Sequence, residues 1–214
     1  RLADAHGARI IGFGEDKDAA ARLICTRIDA DGARIGADLL GQCLTYRIGM
    51  PGRHWVLNSL GVLGAVAALG AAVPRAAEAL AGLVPLKGRG ARHRVALNGG
   101  TFVVIDDSYN ASPPSMAAAL ATLGASPLES GGRRIAVLGD MLELGAWAPD
   151  LHRALADDIA AQNVDLVFAC GPNMEHLRAV LPEGRCAFYA PDSAALAPHV
   201  VSAARAGDVF LVKG

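Results

Sequence analysis

Asp106, Asp107, Ser108, Tyr109 and Asn110 follow one another directly after an apolar run, Phe102 to Ile105. Two carboxylates, a hydroxyl, a phenol and an amide can together accept and donate hydrogen bonds to a hydroxylated or charged ligand. The Val, Ile and Phe residues before them predict a buried strand. Ser112, followed by Pro113 and Pro114, predicts an N-cap and the first turn of an alanine-rich helix near 114–123. The stretch therefore reads as strand, polar loop and helix start. In parallel α/β sheets, the edge at the strands' carboxyl ends is where ligands bind. A plain turn needs a single Asp or Asn, so this loop points to function, although Asp106 also suits a strand-end hydrogen-bonding role.

A second polar pair is His54 and Asn58. Four residues apart at the start of a helix, they share one face. Backbone N–H groups are free there and the helix dipole presents its positive end. The pair is either a ligand contact or a capping histidine with a hydrogen-bonded asparagine, and spacing does not separate the two.

The elements that must carry these groups fall into two regions. Arg9 to Phe13 (RIIGF) predicts a strand closed by Gly12 and Gly14. Three alternating runs follow at 21–30, 33–41 and 42–49, with turns at Asp29–Gly32 and Gly41-Gln42, which predicts a small antiparallel patch. Met50-Pro51-Gly52 breaks it, and a long helix begins near His54. The charge-free stretch Trp55–Val73 is long enough to cross a bilayer. Asn58, Ser59 and the Ala/Gly composition favour instead a buried helix of a soluble domain, with an amphipathic helix following near 74–83. VPLKGRG, at 84–90, reads as an interdomain linker. Beyond it, strands near 102–106, 134–138, 165–169, 186–189 and 208–212 alternate with helices near 114–123, 150–162, 173–181 and 193–205. That alternation predicts a parallel sheet with right-handed crossovers, a Rossmann-like domain. Its strands end in polar or flexible residues: Asp106-Asp107, Gly139-Asp140, Gly171, Pro191-Asp192 and Lys213-Gly214.

Length and composition bound the function. The 214 residues suffice for one large or two small domains. A net charge of −1 without a basic run argues against a nucleic-acid partner. Cys25, Cys43, Cys170 and Cys186 form no C-x-x-C pair and have no histidine at ligand spacing, so they read as reduced thiols of a cytoplasmic protein, with no metal site. No G-x-G-x-x-G follows a strand, which argues against a dinucleotide-binding dehydrogenase, and no G-x-x-x-x-G-K-[ST] phosphate loop is present. The chain starts at Arg1 with no signal peptide and stops at Lys213-Gly214 directly after an apolar strand; the expectation is a piece of a longer protein.

VIDDSYNASPPSMAAALATL, then RRIAVLGDMLELG with His152 shortly after, and VFLVKG at the end resemble the Mur ligases. Within them the similarity is to the branch that joins D-alanyl-D-alanine to a UDP-N-acetylmuramoyl tripeptide. GRHWVLNSL, at 52–60, is similar to the family's adenine-side helix start, and Lys87-Gly88-Arg89 falls where the family has a linker arginine. The resemblance implies that residues 1–86 are the C-terminal part of a central ATPase domain and 87–214 most of a Rossmann-like C-terminal ligase domain. It implies ATP-driven amide-bond formation through an acyl phosphate, in peptidoglycan-precursor synthesis. Magnesium is implied too, with its ligands and the phosphate loop expected upstream, so that this piece alone is inactive. A monomer is expected, without membrane or nucleic-acid partners.

By position, the resemblance puts Asn58 against adenine with His54 beside it, Arg89 on ribose or phosphates, and Asp107 on the ribose hydroxyls. Tyr109 and Asn110 would lie near the transferring phosphate or the incoming dipeptide. Asp140, Glu143, His152 and Lys213 would face the amino-acid substrate, Lys213 pairing with the dipeptide carboxylate or a phosphate. Each has a structural alternative: Arg89 a solvated charge, Glu143 a helix cap, His152 a surface residue, Lys213 an exposed end. Trp55 and Ser112 depart from the family pattern, which has Asn at both places. Two rival readings are a folylpolyglutamate synthetase-like ligase, whose D-G-A-H-N-P run is missing from Asp106–Pro113, and a non-catalytic nucleotide- or peptide-binding module.

Overall fold

The computed structural model describes residues 7, 10–29, 31–84 and 86–214. The chain divides into two compact units, Arg1–Val84 and Pro85–Gly214.

In the first unit, β1 (Phe13–Gly14), β2 (Ala21–Asp29), β3 (Gly32–Leu39) and β4 (Gln42–Ile48) form one sheet in that order. The β2–β3–β4 ladder is antiparallel, as the alternation predicts, and β1 joins β2 in parallel. The predicted strand 9–13 shrinks to Phe13–Gly14. Arg9 lies outside the described residues, and Ile10 to Gly12 stand outside the ladder. Helix α1 (Arg53–Ala68) and α2 (Val73–Ala81) cover the sheet, burying Val56, Leu60, Leu63, Ala77 and Leu80 against Leu23, Ile35 and Ile48. The small residues of α1 permit close approach. A Cβ on Gly61 would sit 3.1 Å from the Phe13 ring, and one on Gly64 3.4 Å from Ile11. The membrane-like composition is thus explained by a helix pressed on a sheet. Among the described residues, no helix is long and apolar enough to cross a membrane.

The second unit holds a six-stranded sheet of β5 (Ala91–Leu97), β6 (Gly100–Asp106), β7 (Arg134–Gly139), β8 (Leu166–Cys170), β9 (Cys186–Ala190) and β10 (Val209–Lys213). Their order is β5-β6-β10-β7-β8-β9, with every neighbouring pair parallel except β5–β6. α3 (Pro113–Gly124), α4 (Ala148–Ala161) and the short α5 (Met174–Arg178) pack one face. Leu120, Leu123, Leu155, Ile159 and Leu177 there meet Ile105, Leu138 and Leu211. α6 (Ser193–Ala203) lies on the other face, where Leu196 packs with Ile135, Phe168 and Phe210. The alternation of strands and helices has produced the predicted α/β fold.

One feature differs from the sequence reading. β5 is an antiparallel edge strand that no apolar periodicity announced, because its residues are exposed or half-buried on both faces. The boundary between the units falls within the predicted linker 84–90, whose later part, 87–90, forms a turn bonded to the second unit: Gly90 N–H donates to Asp106 O at 2.8 Å, and Tyr109 N–H to Gly88 O at 3.0 Å.

β10, last in the chain, inserts between β6 and β7, with Val212 opposite Asp106 and Lys213 opposite Leu138. In a parallel sheet, this brings the carboxyl ends of β6, β7 and β10 together at one edge.

Candidate functional site

The acidic loop emerges at that edge. Asp107 N–H still donates to Val212 O at 2.9 Å, so the ladder runs to the loop's first residue. Asp106 turns inward. Its Oδ1 accepts from the Ser108 hydroxyl at 2.6 Å and the Ser108 amide at 3.3 Å, and its Oδ2 from the Gly88 amide at 3.1 Å. Burial raises its carboxyl, but these donors and the nearby His93 charge more than offset that, leaving it below the usual carboxylate range. Asp106 is therefore the strand-end residue that folds the loop back on itself.

Asp107 meets Lys213. The ammonium donates to Asp107 Oδ2 at 2.6 Å, to Asn110 O at 2.9 Å and to Asp107 O at 3.4 Å. The lysine side chain is 2% exposed and the aspartate 24%. The ion pair takes one carboxylate oxygen, and the other lies outside that bond. Lys213 is consequently neither an exposed chain end nor available to a substrate carboxylate or phosphate here; its three N–H groups all point at the loop. Asn110 and Tyr109 are exposed, and the Asn110 side chain accepts the Ala111 amide at 2.8 Å. Ser112 is the N-cap of α3, and its amide donates to Ser115 Oγ at 2.9 Å, the returning half of a capping box.

On the loop's outer side, the Arg89 guanidinium stacks 3.9 Å from the Tyr109 ring centroid. An exposed cation–π contact contributes about 0.5–1 kcal/mol. What permits it is Gly88: its φ of 73° is left-handed, and a Cβ would stand 3.1 Å from the Tyr109 amide. Sequence reasoning gave Gly88 and Ser108 no role in shaping the loop. The signals were a glycine just before a strand and a serine two residues after an aspartate, the spacing of an Asx turn.

The second loop, Gly139 to Gly145, is built differently. Asp140 Oδ2 accepts from the Asn173 amide at 3.1 Å and side chain at 2.9 Å, and Oδ1 from the Met174 amide at 2.9 Å. It binds the loop after β8 to the loop after β7. His152 corrects an expectation: it neither faces a substrate nor lies on the surface. It is 0% exposed, Nε2 accepts the Met141 amide at 3.0 Å, and Nδ1 lies 2.6 Å from Ala148 O, to which it donates. Glu143 is exposed with a φ of 62°, a costly conformation for a residue with a Cβ. No helix cap is formed by Glu143; the following helical turn has Leu144 as its N-cap, with no side-chain cap bond. Leu142 and Trp147 flank it, both exposed.

Ser108, Asp140, Cys170, Asp192 and Lys213 contribute to a largely apolar cavity of about 600 Å³ along this edge, closed on one side by Leu196 and Val200 of α6. The Cys170 thiol is pushed up by burial and by the charges of Asp140 and Asp192, which leaves it protonated near neutrality and a poor nucleophile. Among the described residues, no group of three or more His, Cys, Asp or Glu could hold a metal ion.

In the first unit, α1 starts at Arg53 with Gly52 as its N-cap, whose backbone carbonyl takes the Trp55 and Val56 amides. The His54 and Trp55 rings lie 5.1 Å apart, tilted by 45°. Asn58 is exposed one turn on. The structure thus gathers Arg89, Asp107, Tyr109, Asn110 and Lys213 around one loop, and puts Asp140 and Glu143 on the neighbouring one, which His152 holds from helix α4.

The UDP-N-acetylmuramoyl-tripeptide–D-alanyl-D-alanine ligase of Bacillus subtilis is 34% identical over 176 residues, covering 79% of this chain and 36% of that protein. The enzyme of the same name from Treponema pallidum is 35% identical over 202 residues, covering 92% and 42%. The chain thus spans less than half the length of these curated relatives. The crystal structure of MurF from Acinetobacter baumannii superposes with a TM-score of 0.81 over 100% of this chain and 45% of its own, at 23% identity, a likeness of fold. Residues 91–214 match the family described as Mur ligase, glutamate ligase domain, and the chain belongs to that family.

Proposed function

We propose that this chain is the portion of a UDP-N-acetylmuramoyl-tripeptide–D-alanyl-D-alanine ligase that comprises the end of its central ATP-binding domain, residues 1–86, and most of its C-terminal domain, 87–214. The observation carrying the reading is the acidic loop 106–110 at the carboxyl edge of the sheet, in a chain whose relatives of that name align across up to 96% of it. The reaction joins the tripeptide carboxylate to the amine of D-alanyl-D-alanine in peptidoglycan-precursor synthesis. A carboxylate oxygen attacks the γ-phosphorus of ATP and ADP leaves. The dipeptide amine then attacks the acyl carbon of the resulting anhydride, loses its proton, and phosphate departs.

Within this scheme, the Asp107 oxygen not bound to Lys213 accepts ribose hydroxyls, a role suited to a carboxylate. Arg89, pre-aligned on Tyr109, supplies positive charge toward ribose or phosphate, and Asn58 with His54 recognises adenine. Tyr109 and Asn110 face the reacting groups. Asp140 and Glu143 border the amino-acid side, Asp140 chiefly by fixing the 171–174 loop. Magnesium belongs to the scheme through residues outside these 214, and the enzyme works in the cytoplasm as a monomer.

The test is phosphate release by the full-length protein. Release that requires both UDP-N-acetylmuramoyl tripeptide and D-alanyl-D-alanine is the expected result. Release with L-alanine and the unsubstituted UDP-muramate, or with neither pair, would reject the assignment.

A further inference from the structure

The three donors of Lys213 all terminate on residues 107–110, across a sequence separation of 106 and 103 residues. A lysine 2% exposed, with its hydrogen-bonding capacity spent, cannot also grip a substrate. We propose that Lys213 is a positioning residue: it locks the acidic loop in the shape that presents Asp107 and Asn110, and acts on nucleotide binding only through that loop. The inference rests on the ligase reading for the identity of the nucleotide, not for the lock itself.

Three features support it. The bonds reach both a side chain and two backbone carbonyls, so they set the path of the chain as well as one rotamer. β10 delivers Lys213 from the strand next to β6, with Val212 O already holding the Asp107 amide, so the donor sits on a rigid element. The loop's remaining anchors are local or peripheral: Asp106 to Ser108, and the Gly88 turn to Asp106 and Tyr109. Without the ammonium, no other hydrogen bond among the described residues ties Asp107 to Asn110, while Asp107, being partly exposed, can be rehydrated and the fold can persist.

The experiment compares full-length wild type with Lys213→Met and Lys213→Arg by amide hydrogen exchange and by steady-state kinetics. In Lys213→Met, exchange at the Tyr109 and Ala111 amides should rise at least tenfold, with β6 and α3 unaffected. The KM for ATP should rise about tenfold, more than the KM for D-alanyl-D-alanine. Lys213→Arg should recover part of both, because it keeps the pair with Asp107 but reaches Asn110 O with a different fork. The Lys213→Met/Asp107→Asn double variant should bind ATP no worse than the weaker single one. Unchanged exchange in Lys213→Met overturns the lock. A rise confined to the dipeptide KM, or additive losses in the double variant, overturns action through the loop. Should the wild-type protein prove not to be a ligase, exchange at the same two amides still decides whether the lock exists.

Discussion

Two neighbouring loops leave the same sheet edge and are held by opposite kinds of chemistry. The loop after β6 is fixed by charge: a buried ammonium on one side, and Gly88 with Asp106 on the other. The loop after β7 is fixed by an imidazole accepting one backbone amide and by a carboxylate that collects three N–H donors from the loop after β8. The first leaves one Asp107 oxygen outside the ion pair and exposes Tyr109 and Asn110. The second spends its polar groups internally and exposes Leu142, Glu143 and Trp147. Under the proposed function, such a division suits recognition of a polar nucleotide by one loop and of a small, partly apolar amino compound by the other.

The contrast can be broken most forcefully at Asp107. Asp107→Ala leaves the Lys213 ammonium buried without its counter-ion, a loss of about 3 kcal/mol, the lower end for such pairs because two carbonyl acceptors remain. Urea unfolding of the full-length variant measures this, and its ATP KM should rise at least as far as that of Lys213→Met. A melting curve superimposable on wild type would show that the pair contributes nothing.

The second loop answers to His152. His152→Leu preserves volume but leaves the Met141 amide buried without an acceptor, at a cost of about 2 kcal/mol. Exchange of the Met141 amide should accelerate while Tyr109 and Ala111 keep their protection. Loss of protection in both loops would mean they are one cooperative unit and erase the distinction drawn between them.

A smaller effect is expected at Gly88. Gly88→Ala forces a Cβ into a left-handed conformation beside the Tyr109 amide, about 1–2 kcal/mol. It should also disturb the Arg89–Tyr109 stack, visible as a change in tyrosine fluorescence.

The mildest test is pH. The Asp106 carboxyl is lower in the folded protein than its ordinary 3.8, so its ionised form stabilises the fold. That contribution is complete above about pH 4 and fades as pH falls through the lowered value. Asp106→Asn should therefore flatten the acid limb of stability without shifting stability's response above neutrality; an identical acid limb in the variant would remove Asp106 from the loop's anchoring.

Much of the second unit was legible before any coordinates. Apolar runs of strand length separated by helical stretches specify the α/β alternation, because burial on both faces of a parallel strand demands such runs. The turn signals at Asp29–Gly32 and Gly41-Gln42 located the antiparallel hairpins of the first unit. Failure came where burial is weak. β5 hides because an exposed edge strand has no apolar pattern.

Within the site, chemistry was readable and partnership was not. Asp106 to Asn110 announced a polar loop through residue type alone, and Ser112 announced the helix after it, since both depend on neighbours in the chain. That Lys213 faces Asp107 depends instead on β10 slipping between β6 and β7, a choice of strand order made by packing over more than a hundred residues of separation. His152 was decided in the same way: an N–H eleven residues back and the closing of a core around it turned a residue that could have met a substrate into one that holds a loop. Local polarity and periodicity are properties of the chain, whereas which buried donor finds which acceptor is a property of the folded sheet.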